Sequence, residues 1–286
     1  MSAAAVFGIE LVRTVTRPLP ISWVSALGGL VGRAFLATSR RRRRTAANLA
    51  AAFPDLTASE RTEIAQRMWD SYGRALAETL ILDRIAADPD RIELANPEVL
   101  DSEGDRGIVF VGMHFGNWEI NALPARGRFP DLAGLYKPFK SARFDAWVRR
   151  KRAQFYPGGL LEADASALLK AARQVRGGGA VCLLADHRDA GGIDVDFFGR
   201  PAPSSAFAAV LGRKFGARVI AARTDRLPGA RFRVVLEAID VPNTDQTDSD
   251  IAAATGAVQG VFERWIRHDP GAWLWFYKRW RDNPVV

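Results

Sequence analysis

The sequence predicts an α/β protein: a mixed, mostly parallel sheet flanked by helices, with an N-terminal helical membrane-associating segment. Three observations carry this reading. Short apolar runs bounded by glycine or polar turns (GIVFVGM, GGGAVCLLAD, ARVIAART and RFRVVLEAI) read as buried strands. Stretches of helical periodicity lie between them, so strands and helices alternate. Ahead of them all, an apolar stretch runs directly into five consecutive arginines, Arg40 to Arg44. The strand order does not follow from such a pattern.

The first element is LPISWVSALGGLVGRAFLAT, Leu19 to Thr38, whose unbroken apolar part before Arg33 covers about fourteen residues. Spanning hydrocarbon takes ~20 residues, so the stretch is short for a transmembrane helix. It has no small-residue cleavage site in the usual place and does not read as a secretory signal. An amphipathic apolar stretch beside a polybasic run fits a monotopic anchor on an anionic leaflet. Residues 1–45 are therefore assigned to membrane association and 46–286 to the functional domain.

After FPDL, Thr57 and Glu60 have capping-box spacing, and Ile64, Met68, Tyr72, Leu76 and Leu80 recur every fourth residue. This predicts an amphipathic helix from Ala58 to about Leu82. AGLYKP is a weaker strand candidate. Arg143 to Phe155 and Asp164 to Val175 read as helices, Ser204 starts another through AFAAVLGRKF, and Asp248 to Arg267 forms a long C-terminal one. With 48% hydrophobic and 25% charged residues, the 286-residue chain can build a substantial core, which excludes global disorder. The net charge of +8 favours anionic partners: nucleic acid, membrane lipid or an acidic protein. Cys182 is the only cysteine, so no intramolecular disulfide forms, and its setting in AVCLLAD reads as core.

The chemistry concentrates in VGMHFGNWEI. His114 and Glu119 are five residues apart, which puts them on different faces of any regular helix. If the strand ends at Gly112 or Met113, His114 leaves the sheet on a turn that Gly116 makes possible. Asn117 then caps a helix through WEINALP, with Glu119 in its first turn. In that arrangement the carboxylate folds back and fixes one imidazole nitrogen, leaving the other to accept a proton. This is the base-and-orienter half of a catalytic triad. No G-x-S-x-G elbow supplies a nucleophile. The reaction that fits is direct: His114 deprotonates a substrate hydroxyl, which attacks an activated acyl group.

HFGNWE, together with TAANLAAAFPDLTASER, LYKP, LLADHR, VDFFGRPAPSS and HDPGAWLWFYKRW in that order, resembles the bacterial lipid A biosynthesis acyltransferases of the lysophospholipid acyltransferase superfamily. The resemblance spans most of the chain. It implies transfer of an acyl chain from acyl carrier protein to a hydroxyl of a glycolipid precursor at the cytoplasmic face of the inner membrane. It implies no metal, no cofactor and no covalent acyl-enzyme. Two departures stand out: His187 follows Asp186 where relatives usually carry glutamine, and VIAART lacks a strand-end proline found in many superfamily members.

Further residues join the candidate site. Asn117 belongs to the motif and is assigned to substrate binding. Lys137 follows a strand, where a cation can meet a substrate phosphate or a developing oxyanion. Arg149 and Arg152 share a helical face within WVRRKR and suit a lipid phosphate or an acidic carrier protein. Asp186 and Arg188 end a strand, and by position resemble the superfamily block that holds acceptor phosphate. Phe197 and Phe198 read as core, and His268 as a helix C-terminal contact. The tail WLWFYKRWR mixes aromatic and basic residues, as suits a membrane interface or single-stranded nucleic acid. Two alternatives stay open: an acyl-CoA-dependent acyltransferase for another glycolipid or lysophospholipid, and a basic nucleic-acid-binding module. The second lacks zinc spacing and any RNA-recognition motif, so no nucleic-acid partner is expected.

Overall fold

The computed structural model describes residues 3–36, 39–101 and 106–281, so the end of the apolar stretch at 37–38 lies outside the described residues. The N-terminal third is helical: α1 (Ala3–Thr16), α2 (Ile21–Val31) running into a π-helical turn (Gly32–Leu36), α3 (Ser39–Ala52), α4 (Ala58–Leu80) and α5 (Leu82–Ala87). The rest alternates: β1 (Ile92–Leu94), β2 (Ile108–Gly112), α6 (Leu123–Arg126), β3 (Ala133–Tyr136), α7 (Ala142–Arg152), β4 (Leu160–Glu162), α8 (Ala167–Arg176) and β5 (Ala180–Leu184). A hairpin of β6 (Ile193–Asp196) and β7 (Pro201–Ser204) precedes α9 (Phe207–Phe215), β8 (Arg218–Leu227), β9 (Arg231–Ile239) and α10 (Thr247–His268).

The main sheet has the order β1-β9-β8-β2-β5-β3-β4, and only the β8–β9 pair is antiparallel. β2 lies at its centre and is buried throughout. Its alternate residues enter two different cores, Val109 and Val111 on one face and Ile108 and Phe110 on the other. That explains an unbroken apolar run where a half-exposed strand would alternate. Cys182 faces the second core, and burial pushes its thiol up to about 12, leaving it inert.

α4 begins as the capping box dictates, with Thr57 N donating to Glu60 Oε2 at 2.7 Å and Glu60 N to Thr57 Oγ1 at 3.2 Å. α2 and its π-helical turn lie backbone to backbone against α4. A Cβ at Gly28 would sit 2.6 Å from Gly73 O, and one at Gly32 2.2 Å from Trp69 O. The N-terminal apolar segment is thus packed onto the domain.

Two expectations are corrected, and one element appears that the sequence reading did not include. The helix through WEINALP reduces to a 3₁₀ turn at Trp118–Ile120 and the short α6. Pro124 cannot donate the hydrogen bond a continuous helix needs there. The hairpin β6–β7 was hidden by Pro201 and Pro203, tolerated because this sheet has only two strands. Ser204 ends β7 and does not cap α9, whose cap residue is Ala206. Its hydroxyl donates to Ala202 O at 2.9 Å and accepts from Arg279 at 2.7 Å.

Candidate active site

β2 and β5 are parallel neighbours with Gly112 opposite Leu184. His114 and Asp186 each lie two residues past these strand ends, so the register brings them side by side. His114 Nδ1 lies 2.9 Å from Asp186 Oδ1. Asp186 Oδ2 accepts the His114 backbone N–H at 3.0 Å and the Trp273 indole N–H at 2.8 Å. Only 1% of Asp186 is exposed. Burial by itself raises the Asp186 carboxyl, but the His114 ring, its amide and His187 outweigh it and hold the group well below the usual carboxylate range. An ionised carboxylate only accepts, so Nδ1 carries the imidazole proton and Nε2 is left as the acceptor.

The turn carrying His114 is over-determined. Gly116 has φ +55°, and a Cβ there would come within 2.1 Å of Thr224 O. Gly116 N donates to Ala272 O at 3.0 Å, and Phe115 bridges to Trp273. Both flexibility and close approach demand glycine, as the motif predicts.

Rings enclose the imidazole. His187 stacks on it with centroids 4.2 Å apart and planes 7° from parallel. Trp118 and Tyr277 pack at 5.0 and 5.3 Å. His187 keeps an exposed edge, yet desolvation of its packed face, reinforced by His114, Arg279 and Lys137 against the opposing pull of Asp186, pushes it down to about 4. His114, Asp186 and His187 bring potential metal-ligand atoms within 4.8 Å of one another. Near-parallel rings keep their in-plane lone pairs from converging, and Asp186 already accepts three hydrogen bonds, so this set does not fit an ion as it stands.

The orienter role assigned to Glu119 is corrected. Glu119 is buried, and both its oxygens are taken by Arg152, from Nε at 3.0 Å and from a shorter contact to the second guanidinium nitrogen. Burial opposes the Arg152 charge, but Glu119 more than compensates and raises the group further. The pair pins the 3₁₀ turn to α7. The carboxylate on His114 comes from another strand, which no spacing within one motif reveals.

Asn117 is likewise corrected. It is fully buried, its Oδ1 accepts Glu119 N at 3.3 Å and its Nδ2 donates to Glu78 Oε2 at 3.0 Å, so it holds the turn and offers nothing to substrate. Glu78 also receives Arg226 Nε at 3.0 Å, Arg226 Nη2 at 2.7 Å and Ser25 Oγ at 2.6 Å, tying α2, α4, β8 and the motif together. Arg149 shares α7 with Arg152 but pairs with Glu162 at 2.6 Å. Lys137 and Arg188 are exposed, and the charge of Lys137 reaches His187.

The tail is not an exposed interface. Trp273, Trp275, Phe276 and Trp280 are buried, and Trp273 reaches the site through its hydrogen bond to Asp186. Arg279, fully buried, donates to Pro203 O at 3.1 Å and to Gln259 Oε1 at 2.9 Å, and burial pushes it down to about 10. Sequence reasoning missed Trp273 and Arg279; their signal was an aromatic and basic tail that reads equally well as surface. A cleft of about 620 Å³ opens behind the turn, lined by Phe115, Gly116, Arg67, Asp70, Arg226 and His268 among others.

The model of the bacterial lipid A biosynthesis acyltransferases matches residues 3–282. The lipid A biosynthesis lauroyltransferase of Escherichia coli (strain K12) is 25% identical over 278 residues, covering 93% of this chain and 88% of that protein. A match over nearly the whole chain takes in the strand-end histidine and aspartate, the turn that carries them and the tail that reaches Asp186 through Trp273. The chain belongs to the bacterial lipid A biosynthesis acyltransferase family.

Proposed function

We propose that the protein moves a fatty acyl chain from acyl carrier protein to a hydroxyl of a lipid A precursor by direct transfer, with His114 as general base and Asp186 as its orienter. The observation that carries this is the His114 Nδ1–Asp186 contact at 2.9 Å, which leaves Nε2 as the proton acceptor. The acceptor hydroxyl gives its proton to Nε2 as its oxygen attacks the acyl carbonyl. The C–S bond then breaks, and the proton passes from His114 to the departing thiolate. Asp186 stabilises the imidazolium between these steps, and base assistance of this kind supplies ~10²–10⁴ in rate. Lys137 is exposed and its charge reaches His187, which suits a cation for the developing oxyanion, and the basic end of α7 suits an acidic carrier protein.

Attachment is to the cytoplasmic face of the inner membrane, through residues 1–45. Phe7, Trp23 and Phe35 are 72%, 67% and 78% exposed, and Leu11, Val15, Leu27 and Leu30 are exposed beside them. So much apolar surface on one segment needs a partner, and the adjoining arginines favour an anionic leaflet. No single helix among the described residues is long and apolar enough to cross a membrane.

Purified protein should transfer labelled acyl groups from acyl carrier protein to a lipid A precursor bearing Kdo, and His114→Ala should abolish transfer with the fold intact. Full activity in that variant would remove the mechanism. Mass spectrometry of lipid A from cells lacking the protein should show one secondary acyl chain missing; unchanged lipid A would point to another acceptor.

A further inference from the structure

The arginine run divides between two faces of α3. Arg41, Arg44, Thr45, Asn48, Leu49 and Ala52 follow helical spacing and turn inward, while Arg40, Arg42 and Arg43 are exposed. Asn48 fixes the inner face by donating to Trp275 O at 2.6 Å and Tyr277 O at 2.9 Å. Arg41 is held in place and is not a loose surface charge. Its guanidinium lies 4.9 Å from the centroid of the Phe276 ring, and its charge bears on Tyr72 and Tyr277. Among the described residues, no carboxylate forms an ion pair with Arg41.

Arg41 is joined to His114 by two short paths of rings. One runs from Phe276 through Tyr277, at 4.6 Å, to His114 at 5.3 Å. The other runs from Phe276 through Tyr72 at 5.2 Å and Trp118 at 6.4 Å to His114 at 5.0 Å. Tyr72, Trp118 and Tyr277 are all half-buried, so each keeps part of itself open to solvent between the base and the cation. Partly open aromatic side chains beside a catalytic base suit the apolar faces of a sugar. A guanidinium with no carboxylate partner, at the far edge of that strip, suits a phosphate monoester.

We infer that this strip is the headgroup subsite for the acyl acceptor: a sugar lies on Tyr72, Trp118 and Tyr277, its phosphate on Arg41, and a hydroxyl reaches His114. The inference rests on the acceptor reading above and adds which part of the acceptor is recognised and by what. It separates Arg41 from the exposed arginines of the same run, which serve the membrane.

The test is steady-state kinetics of the full chain in detergent micelles at saturating acyl donor. The acceptor is supplied with its sugar phosphates and after phosphatase treatment. On the phosphorylated acceptor, Arg41→Ala should raise the acceptor KM ~10- to 100-fold with kcat changed little, and Arg41→Lys should recover part of the loss. Wild type should lose a similar factor when the phosphates are removed, and Arg41→Ala should then lose little more. The wild-type arm reads the same term if the variant is unstable. An Arg41→Ala effect equal on both acceptors would overturn the inference. So would an effect on the KM of the acyl donor, whose pantetheine arm also carries phosphate, or one confined to vesicle binding. Absence of transfer by wild type to either acceptor would instead defeat the underlying assignment of the reaction.

Discussion

Asp186 holds His114 at two points, the ring Nδ1 at 2.9 Å and the backbone N–H at 3.0 Å. The second bond fixes the chain at the end of β2 and the first fixes the ring, so a single buried carboxylate sets both position and tautomer. The third donor, Trp273 at 2.8 Å, ties the same carboxylate to the C-terminal tail.

Replacing Asp186 by Asn removes the anion while keeping the size. The ring loses the partner that selects its tautomer, and kcat should fall ~10³-fold or more. Glu119→Gln should act differently, because Glu119 balances Arg152: stability should drop by ~2 kcal/mol, below the loss for a fully buried pair because Arg152 keeps contact with solvent. Kinetics and urea unfolding on both variants separate the roles. A large kcat loss in Glu119→Gln with unchanged stability would return the orienter role to it.

His187 should make the fold weaken in mild acid. Its folded pKa, about 4, lies below the ordinary value of 6.5. Between these values the unfolded chain binds the proton and the folded one does not, so stability falls as pH drops from about 6.5 to 4. With an exposed edge the ring contributes at most ~1 kcal/mol. His187→Gln, which removes the titrating ring, should flatten that window in urea titrations run between pH 7 and pH 4. An unchanged profile would show that the ring does not titrate differently on folding.

Gly116→Ala should disrupt the site from outside it. The new methyl group meets Thr224 O, and the backbone keeps φ +55° only under strain. The expected cost is ~2–4 kcal/mol, with a shifted His114 and lost activity. A variant of wild-type stability would show that the turn relaxes without penalty.

Phe7→Ser, Trp23→Ser and Phe35→Ser together remove exposed apolar surface without touching the core. At ~1.5–3 kcal/mol per buried aromatic ring, the triple variant should bind anionic vesicles at least ~10²-fold more weakly, with an unchanged thermal midpoint. Cosedimentation at several salt concentrations checks this, and the remaining binding should fall with salt.

Much of this molecule is written in local pattern. The strands at 108–112, 180–184, 218–227 and 231–239 and the helix α4 with its cap rest on periodicity and short-range hydrogen bonds. So does the glycine turn after His114, because φ at Gly116 is a local demand. Pattern failed where partners are distant. The proline-bearing hairpin and the buried tail each have a local composition that reads as loop or surface, and only packing decides otherwise.

Local pattern was enough to single out His114, the strand end that carries it, the alternating fold and the family likeness. Which carboxylate meets the imidazole depended on tertiary packing. Glu119 is five residues from His114 and Asp186 is 72 away, yet the parallel register of β2 and β5 puts the distant residue in contact. Arg152, arriving from α7, occupies the near one. Separation along the chain limits what a turn can join. Adjacency in a sheet is set by strand pairing, driven by burial on both faces, and it carries no signature at either residue.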